Sequence, residues 1–171
     1  MVYHYSYKPK DETKTALALG IGVDASSRHG REVANFIRGK SVEAAVILLE
    51  EVIEKKTAVP YRFFKRDLSH KTGVGPARYP IKTSKAILAV IKNGIANAQH
   101  KGLASAELAL SHISIQKASA PWHGGRKGRR KMKRCNIEIA LEPLPPKSDQ
   151  KKKKNHFDNK PFKKHKNGGN R

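Results

Sequence analysis

The sequence predicts an α+β fold: three helices packed on a small antiparallel sheet of about three strands, with a protruding β-hairpin and a disordered basic tail. Three observations carry this expectation. Apolar residues recur at helical spacing in three separate segments between Asp24 and Gly102. After Leu103 the period of the apolar residues changes from 3.6 to 2. The two segments of period 2 are separated by KASAPWHGGRKGRRKMKR, which holds eight basic residues and no acidic one.

Residues 1–13 are polar and aromatic with one proline, and are expected to form an extended N-terminal arm that docks on a neighbour. In the next segment Leu17, Leu19, Ile21 and Val23 alternate with Ala18, Gly20 and Gly22, a strand period weakened by two glycines. Asp24, Ser26 or Ser27 then caps a helix running to about Arg38, with Val33, Ala34, Phe36 and Ile37 as its apolar side and Gly39 as its stop. Ser41 caps the second helix, in which Val42, Ala45, Val46, Leu49, Val52 and Ile53 recur at spacings of three and four. Pro60 holds Val59 out of the α region, so this helix must end near Lys56. A basic, irregular loop follows from Tyr61 to Tyr79, with Arg62, Lys65, Arg66, Lys71 and Arg78 against a lone Asp67. Pro80 suits the first turn of the third helix; Ala86, Ile87, Val90, Ile91, Gly94, Ile95 and Ala98 give it one packing face, and Gly102 ends it.

Ile113 and Ile115, then Ile137, Ile139 and Leu141, alternate with polar or small residues and predict two antiparallel strands with one buried face, a hairpin over about 112–140. Cys135 is expected to be a small buried strand residue. From Pro143 the prolines and lysines predict a disordered basic tail over 143–171, so the folded unit is placed at 14–142.

A formal net charge of +22, from 36 Lys+Arg against 14 Asp+Glu, disfavours a compact free chain and calls for a polyanionic partner. Half of those 36 cations lie in two stretches, Lys117 to Arg134 and Lys147 to Arg171. In the first, Lys117, Arg126, Lys127, Arg129, Arg130, Lys131, Lys133 and Arg134 offer donors for phosphate oxygens, and Trp122 and His123 offer surfaces on which an unpaired base can stack. Gly124, Gly125 and Gly128 permit close backbone approach. A tip with no core and one sign of charge is expected to order only when bound. No run approaches the ~20 apolar residues of a spanning helix, and Met1 to Tyr5 holds no apolar signal core. The expectation is therefore a cytoplasmic protein without a membrane partner.

The residues give no footing for catalysis. The eight histidines show neither HxH nor HExxH spacing, and one cysteine excludes both an intramolecular disulfide and a cysteine-rich zinc site. Glu50 and Glu51 are neighbours on a helix and point apart. Gly73-Val74-Gly75-Pro76 and Gly124-Gly125-Arg126-Lys127-Gly128 both lack the following Gly-Lys-Ser/Thr of a phosphate-binding loop. The chain is expected to be no enzyme and to need no metal or cofactor.

The order of the parts resembles a known family. The stretch from Ser27 to Ala45 (SRHGREVANFIRGKSVEAA) is similar to the first two helices of the large-subunit ribosomal protein family numbered twenty-two in bacteria and seventeen in eukaryotes. Ala58 to Arg62 (AVPYR), Ala77 to Pro80 (ARYP) and Asn93 to Ala98 (NGIANA) resemble its archaeal and eukaryotic branch; His112 to Ile115 and Asn136 to Ile139 resemble the strands of its long hairpin. The hairpin is several residues shorter than is usual there, and its tip, Trp122-His123-Gly124-Gly125, departs from the family's arginine, proline and glycine pattern. The resemblance implies a structural constituent of the large ribosomal subunit, bound to large-subunit ribosomal RNA beside neighbouring ribosomal proteins, with its hairpin lining the nascent-peptide exit tunnel and its tip near the peptide. It carries RNA contacts over to Arg28, Arg31, Arg62, Arg66, Arg78, Lys82, Lys85 and the hairpin arginines; Lys65 joins them as part of the basic loop. No homo-oligomer is expected. The competing expectation is a freestanding RNA-binding or RNA-processing factor using the same hairpin.

Overall fold

The computed structural model describes residues 5–9, 11–104 and 108–144. The first four residues of the predicted arm and all of the predicted tail beyond Leu144 lie outside them. The elements run β1 (Ala16–Val23), α1 (Ser27–Ile37), α2 (Val42–Ile53), β2 (Val59–Pro60), β3 (His70–Lys71), β4 (Gly75–Arg78), α3 (Ile81–His100), β5 (Leu108–Lys117) and β6 (Cys135–Pro143). The main sheet is antiparallel in the order β1-β6-β5, and Ile113 faces Ile139 as Ile115 faces Ile137 across the hairpin. The three helices pack on one face of this sheet, as predicted. The core they enclose includes Val33, Ile37, Leu49, Ile87, Ile91, Leu110, Ile113, Ile137, Ile139 and Leu141.

Local chemistry accounts for the helix ends. Ser41 Oγ accepts from the Ala44 N–H at 3.3 Å and starts α2. Gly39, at φ +74, carries the turn between α1 and α2 in a conformation costly for any side chain with a Cβ. That turn also closes the outer edge of the sheet: the Gly39 N–H donates to the Leu110 carbonyl and the Leu110 N–H to the Lys40 carbonyl, at 2.9 and 3.0 Å.

β1 packs through its small residues. Ala16 and Ala18 are buried, whereas Ile21 is 67% exposed. The volume comes instead from α3 and β6: a Cβ on Gly20 would meet Val90 Cγ2 at 2.8 Å, and one on Gly94 would meet Leu141 Cδ1 at 3.2 Å and Ala18 Cβ at 3.4 Å. Gly22, at φ +62, sits in a register shift between Gly20 and Val23 that returns Val23 toward the core.

Two expectations are corrected. The segment 61–79 is not wholly irregular, because β4 pairs with β2 on one side and β3 on the other in a second small antiparallel sheet. These strands are two to four residues long, too short for a periodic pattern to register. The hairpin strands also bury more than one face. Glu138 and Ala140, opposite in pleat to the Ile137–Ile139 side, are almost fully buried. The N-terminal arm approaches that second face: Ser6 donates from its N–H and its hydroxyl to Glu138, Tyr7 donates its hydroxyl to Glu142 at 2.5 Å, and the Tyr7 ring stacks on His112 with centroids 4.8 Å apart. The arm thus docks on its own sheet.

Candidate nucleic-acid interface

The basic loop is held by a buried acid. Glu32, on the inner side of α1 and 1% exposed, accepts from the backbone N–H groups of Arg62 (3.0 Å), Phe63 (2.9 Å) and Phe64 (2.9 Å). Three charge-assisted bonds to one carboxylate fix the course of the chain at this point. The side chains of Arg62, Lys65 and Arg66 consequently point outward and are exposed. The α1 arginines lie over the loop's rings, with Arg31 Cζ 4.8 Å from the Phe63 centroid and Arg28 Cζ 5.9 Å from that of Phe64.

Beside them Tyr61 is buried and 2.5 Å from His29 Nδ1 through its hydroxyl. Burial pushes the Tyr61 hydroxyl up to about 12, with the Glu32 carboxylate acting in the same direction and Arg78 against it. Burial, with Arg78 and Lys133 nearby, holds His29 below the ordinary imidazole value. With the phenol protonated and the imidazole neutral, the two groups share one hydrogen bond whose direction is set by the imidazole tautomer.

Many of the predicted contacts gather around three clefts, which Arg31, Arg62, Lys65, Lys82, Trp122 and His123 do not line. A cleft lined by Arg28, His29, Phe63, Phe64, Arg66 and Arg78, with Asp67 as its one acid, lies between α1 and the loop. Arg28 also lines a second cleft, with Ser26, Ser27, Lys117, Lys131, Lys133 and Arg134, between the start of α1 and the hairpin. The first turn of α1 adds backbone N–H groups and the positive end of the helix dipole to that cleft. Arg126, Lys127, Arg129 and Arg130 stand together at the tip.

The tip has a hydrogen-bonded frame of its own. Trp122 bridges to Lys131, the His123 N–H donates to the Arg130 carbonyl at 2.9 Å, and the Met132 N–H donates to the Pro121 carbonyl at 2.8 Å. Gly125, at φ +60, opens a short 3-10 turn that closes the loop. Lys131 Nζ lies 4.7 Å from the Trp122 ring centroid, and Trp122 remains 59% exposed.

Three predicted contacts already donate hydrogen bonds within the protein. Lys82 Nζ pairs with Asp24 Oδ2 at 2.5 Å, Arg78 Nη2 donates to the Asp67 carbonyl at 3.4 Å, and Arg134 Nη1 donates to the Gly22 carbonyl at 3.1 Å, which ties the root of the hairpin to β1. Lys85 is exposed on α3 and lines none of these clefts. Reasoning from the sequence missed Glu32, Phe63 and Phe64. The signal was there in Tyr61-Arg62-Phe63-Phe64-Lys65-Arg66, where aromatic and basic residues interleave. Nothing local distinguishes Glu32 from a solvated helix residue.

No described helix is long and apolar enough to cross a membrane, and the described residues hold no group of histidine, cysteine and carboxylate side chains fit for a metal ion. Cys135 is buried, as predicted, and burial raises its thiol above the usual value. On the remaining faces the exposed carboxylates Glu43 and Glu50 share α2 with the exposed Ile47, and the exposed Glu54 caps its end, which leaves that helix unsuited to phosphate.

Comparison with known proteins matches this arrangement to one family. Residues 18–142 fit the family model described as Ribosomal protein L22p/L17e. A protein named Large ribosomal subunit protein uL22 from Archaeoglobus fulgidus is 37% identical over 147 residues, which cover 81% of this chain and 95% of that protein. Its namesake from Staphylothermus marinus is 35% identical over 154 residues, covering 83% and 98%, and that from Methanothrix thermoacetophila is 38% identical over 124 residues, covering 68% and 82%. The matched residues run through the helices, both sheets and the whole hairpin, and the chain belongs to the ribosomal protein L22p/L17e family.

Proposed function

We propose that this chain is a noncatalytic structural component of the large ribosomal subunit in the cytoplasm. It binds large-subunit ribosomal RNA through the loop after α2, the start of α1 and the hairpin, and its hairpin lines the tunnel by which the nascent peptide leaves. The observation that carries the reading is the continuous basic surface, in which Arg28 lines both the loop cleft and the hairpin cleft. A duplex or folded RNA presents phosphates as an extended array, and a connected surface can neutralise many of them at once. The names of these relatives, each a large ribosomal subunit protein, support the same partner.

In this reading the parts divide the work. The core fixes α1 and the sheet, Glu32 fixes the loop, and Arg134 fixes the direction in which the hairpin leaves the sheet. Arg28, Arg31, Arg62, Lys65, Arg66, Arg78 and Lys85 contact RNA near the core, while Arg126, Lys127, Arg129 and Arg130 carry positive charge to the tip, where Trp122 and His123 face RNA or peptide. Phosphates relieve the self-repulsion of a chain at +22. The α2 face is left to solvent and to neighbouring ribosomal proteins.

Sucrose-gradient sedimentation tests the reading. The chain is expected to co-migrate with large subunits after a high-salt wash; release into the free fraction overturns it in favour of a freestanding RNA-binding factor. Nascent-chain crosslinks to a probe placed at Trp122 test the tunnel assignment.

A further inference from the structure

We propose that Phe63 and Phe64, backed by Arg31 and Arg28, form a binding site for unpaired RNA bases, separate from the hairpin. This site rests on the RNA-binding reading and names what the loop recognises within it. Both rings stand outside the hydrophobic core, with Phe63 61% and Phe64 37% exposed. Two adjacent exposed phenylalanines are unfavourable in water and are not needed to fill the interior. Their backbone is nevertheless fixed, because the N–H groups of both residues donate to Glu32 Oε1 at 2.9 Å. A buried carboxylate is thus committed to the shape of a surface loop.

The surroundings select the ligand. Each ring has a guanidinium over it, at 4.8 Å for Arg31 on Phe63 and 5.9 Å for Arg28 on Phe64. A guanidinium so placed keeps N–H donors free for phosphate while the ring offers its exposed surface to a flat partner. A base with its own phosphate satisfies both halves, since aromatic rings stack on bases of any sequence. A hydrophobic protein segment satisfies only the rings and would leave the cations buried without partners. A base inside a duplex is already stacked on its neighbours, so the site requires a nucleotide from a loop, bulge or single strand.

Binding of the full-length chain to three probes tests the site: a short single-stranded oligoadenylate, a duplex RNA of equal length, and inorganic polyphosphate. For Phe63→Ala/Phe64→Ala, affinity for oligoadenylate is expected to fall about 5- to 150-fold per ring. Affinity for polyphosphate and the salt dependence should hold, and Phe63→Tyr/Phe64→Tyr should restore binding. An independent readout is Phe63→Trp in a Trp122→Phe background, whose fluorescence oligoadenylate should quench and polyphosphate should not.

Equal losses on oligoadenylate and polyphosphate, or no loss on either, overturn the stacking site, as does absence of quenching. Undiminished oligoadenylate binding with loss of a ribosomal-protein contact in isolated subunits also overturns it, in favour of a protein docking site. If the unsubstituted chain binds none of the probes and leaves large subunits at high salt, the RNA-binding reading itself fails. Continued co-sedimentation with unaltered oligoadenylate binding in the variants removes the stacking site alone.

Discussion

Removing the Glu32 carboxylate should loosen the basic loop while leaving the helices and main sheet in place. The side chain is 1% exposed and accepts three backbone N–H groups at 2.9 to 3.0 Å. Hydrogen bonds to a charged group contribute about 1.5–3 kcal/mol each when the abandoned partner stays buried. Here the donors belong to Arg62, Phe63 and Phe64, whose side chains are exposed, so water reaches the freed N–H groups and lowers the loss. At about 1 kcal/mol per bond, Glu32→Ala should destabilise the chain by about 3 kcal/mol, a fall in Tm of about 6–12 °C. Glu32→Gln keeps one acceptor oxygen and sets an NH2 against a backbone donor; its cost should be about 1–2 kcal/mol. Denaturant unfolding gives the totals, and amide hydrogen exchange locates them, with residues 62–64 losing protection first. Destabilisation by Glu32→Ala of less than about 1 kcal/mol, with unaltered exchange at those amides, would refute the account of the loop as pinned by this carboxylate.

The other predictions concern packing, protonation and charge. Gly20→Ala should cost about 1–3 kcal/mol in denaturant unfolding, because its Cβ would fall 2.8 Å from Val90 Cγ2, while Gly124→Ala, with nothing within 4 Å, should be close to neutral. Burial holds His29 and His112 below the ordinary imidazole value, helped by Arg78 and Lys133 at the first and by Arg38 at the second, where Nε2 has no hydrogen-bond partner. Depressed folded values mean that the unfolded chain binds more protons below about pH 6.5, so stability is full above that value and falls as the solution is acidified. Unfolding midpoints at neutral and mildly acidic pH should show this fall, and a His29→Gln/His112→Gln variant should show less of it. If the tip meets about six phosphates, log affinity should fall with log salt at a slope of roughly −4 to −5; replacing Arg126, Lys127, Arg129 and Arg130 by glutamine should make that slope shallower by roughly 3. Deleting Trp122 to Arg130 should leave the thermal midpoint nearly unchanged, since the core draws no residue from that stretch, and should alter nascent-chain crosslinks in assembled subunits.

What the sequence disclosed, and what it hid, follows from how far each determinant lies along the chain. The three helices and the hairpin strands are legible because their apolar residues recur within one element, and the buried sets Val42, Ala45, Leu49, Val52 and Ile87, Val90, Ile91, Gly94, Ala98 repeat the predicted faces. β1 shows where periodicity ceases to be enough. Its alternation marks a strand, but the larger residues of the pair of faces are not the buried ones, because Val90, Ile137 and Leu141 already fill the space that larger side chains on β1 would need. Only knowledge of the partner's volume decides that face. The candidate interface divides the same way. Its cations are visible as composition, and their outward placement follows from charge alone. Glu32 is thirty positions from the loop whose N–H groups it accepts, and Glu138 lies 132 positions from Ser6, so the two buried acids that position the loop and the arm carry no local mark. Each of these carboxylates accepts hydrogen bonds from a distant segment, Glu32 from three N–H groups of the loop and Glu138 from the N–H and hydroxyl of Ser6, and so holds that segment in place. The acids of this protein therefore say more about its function than their number suggests: they decide where its positive charge stands.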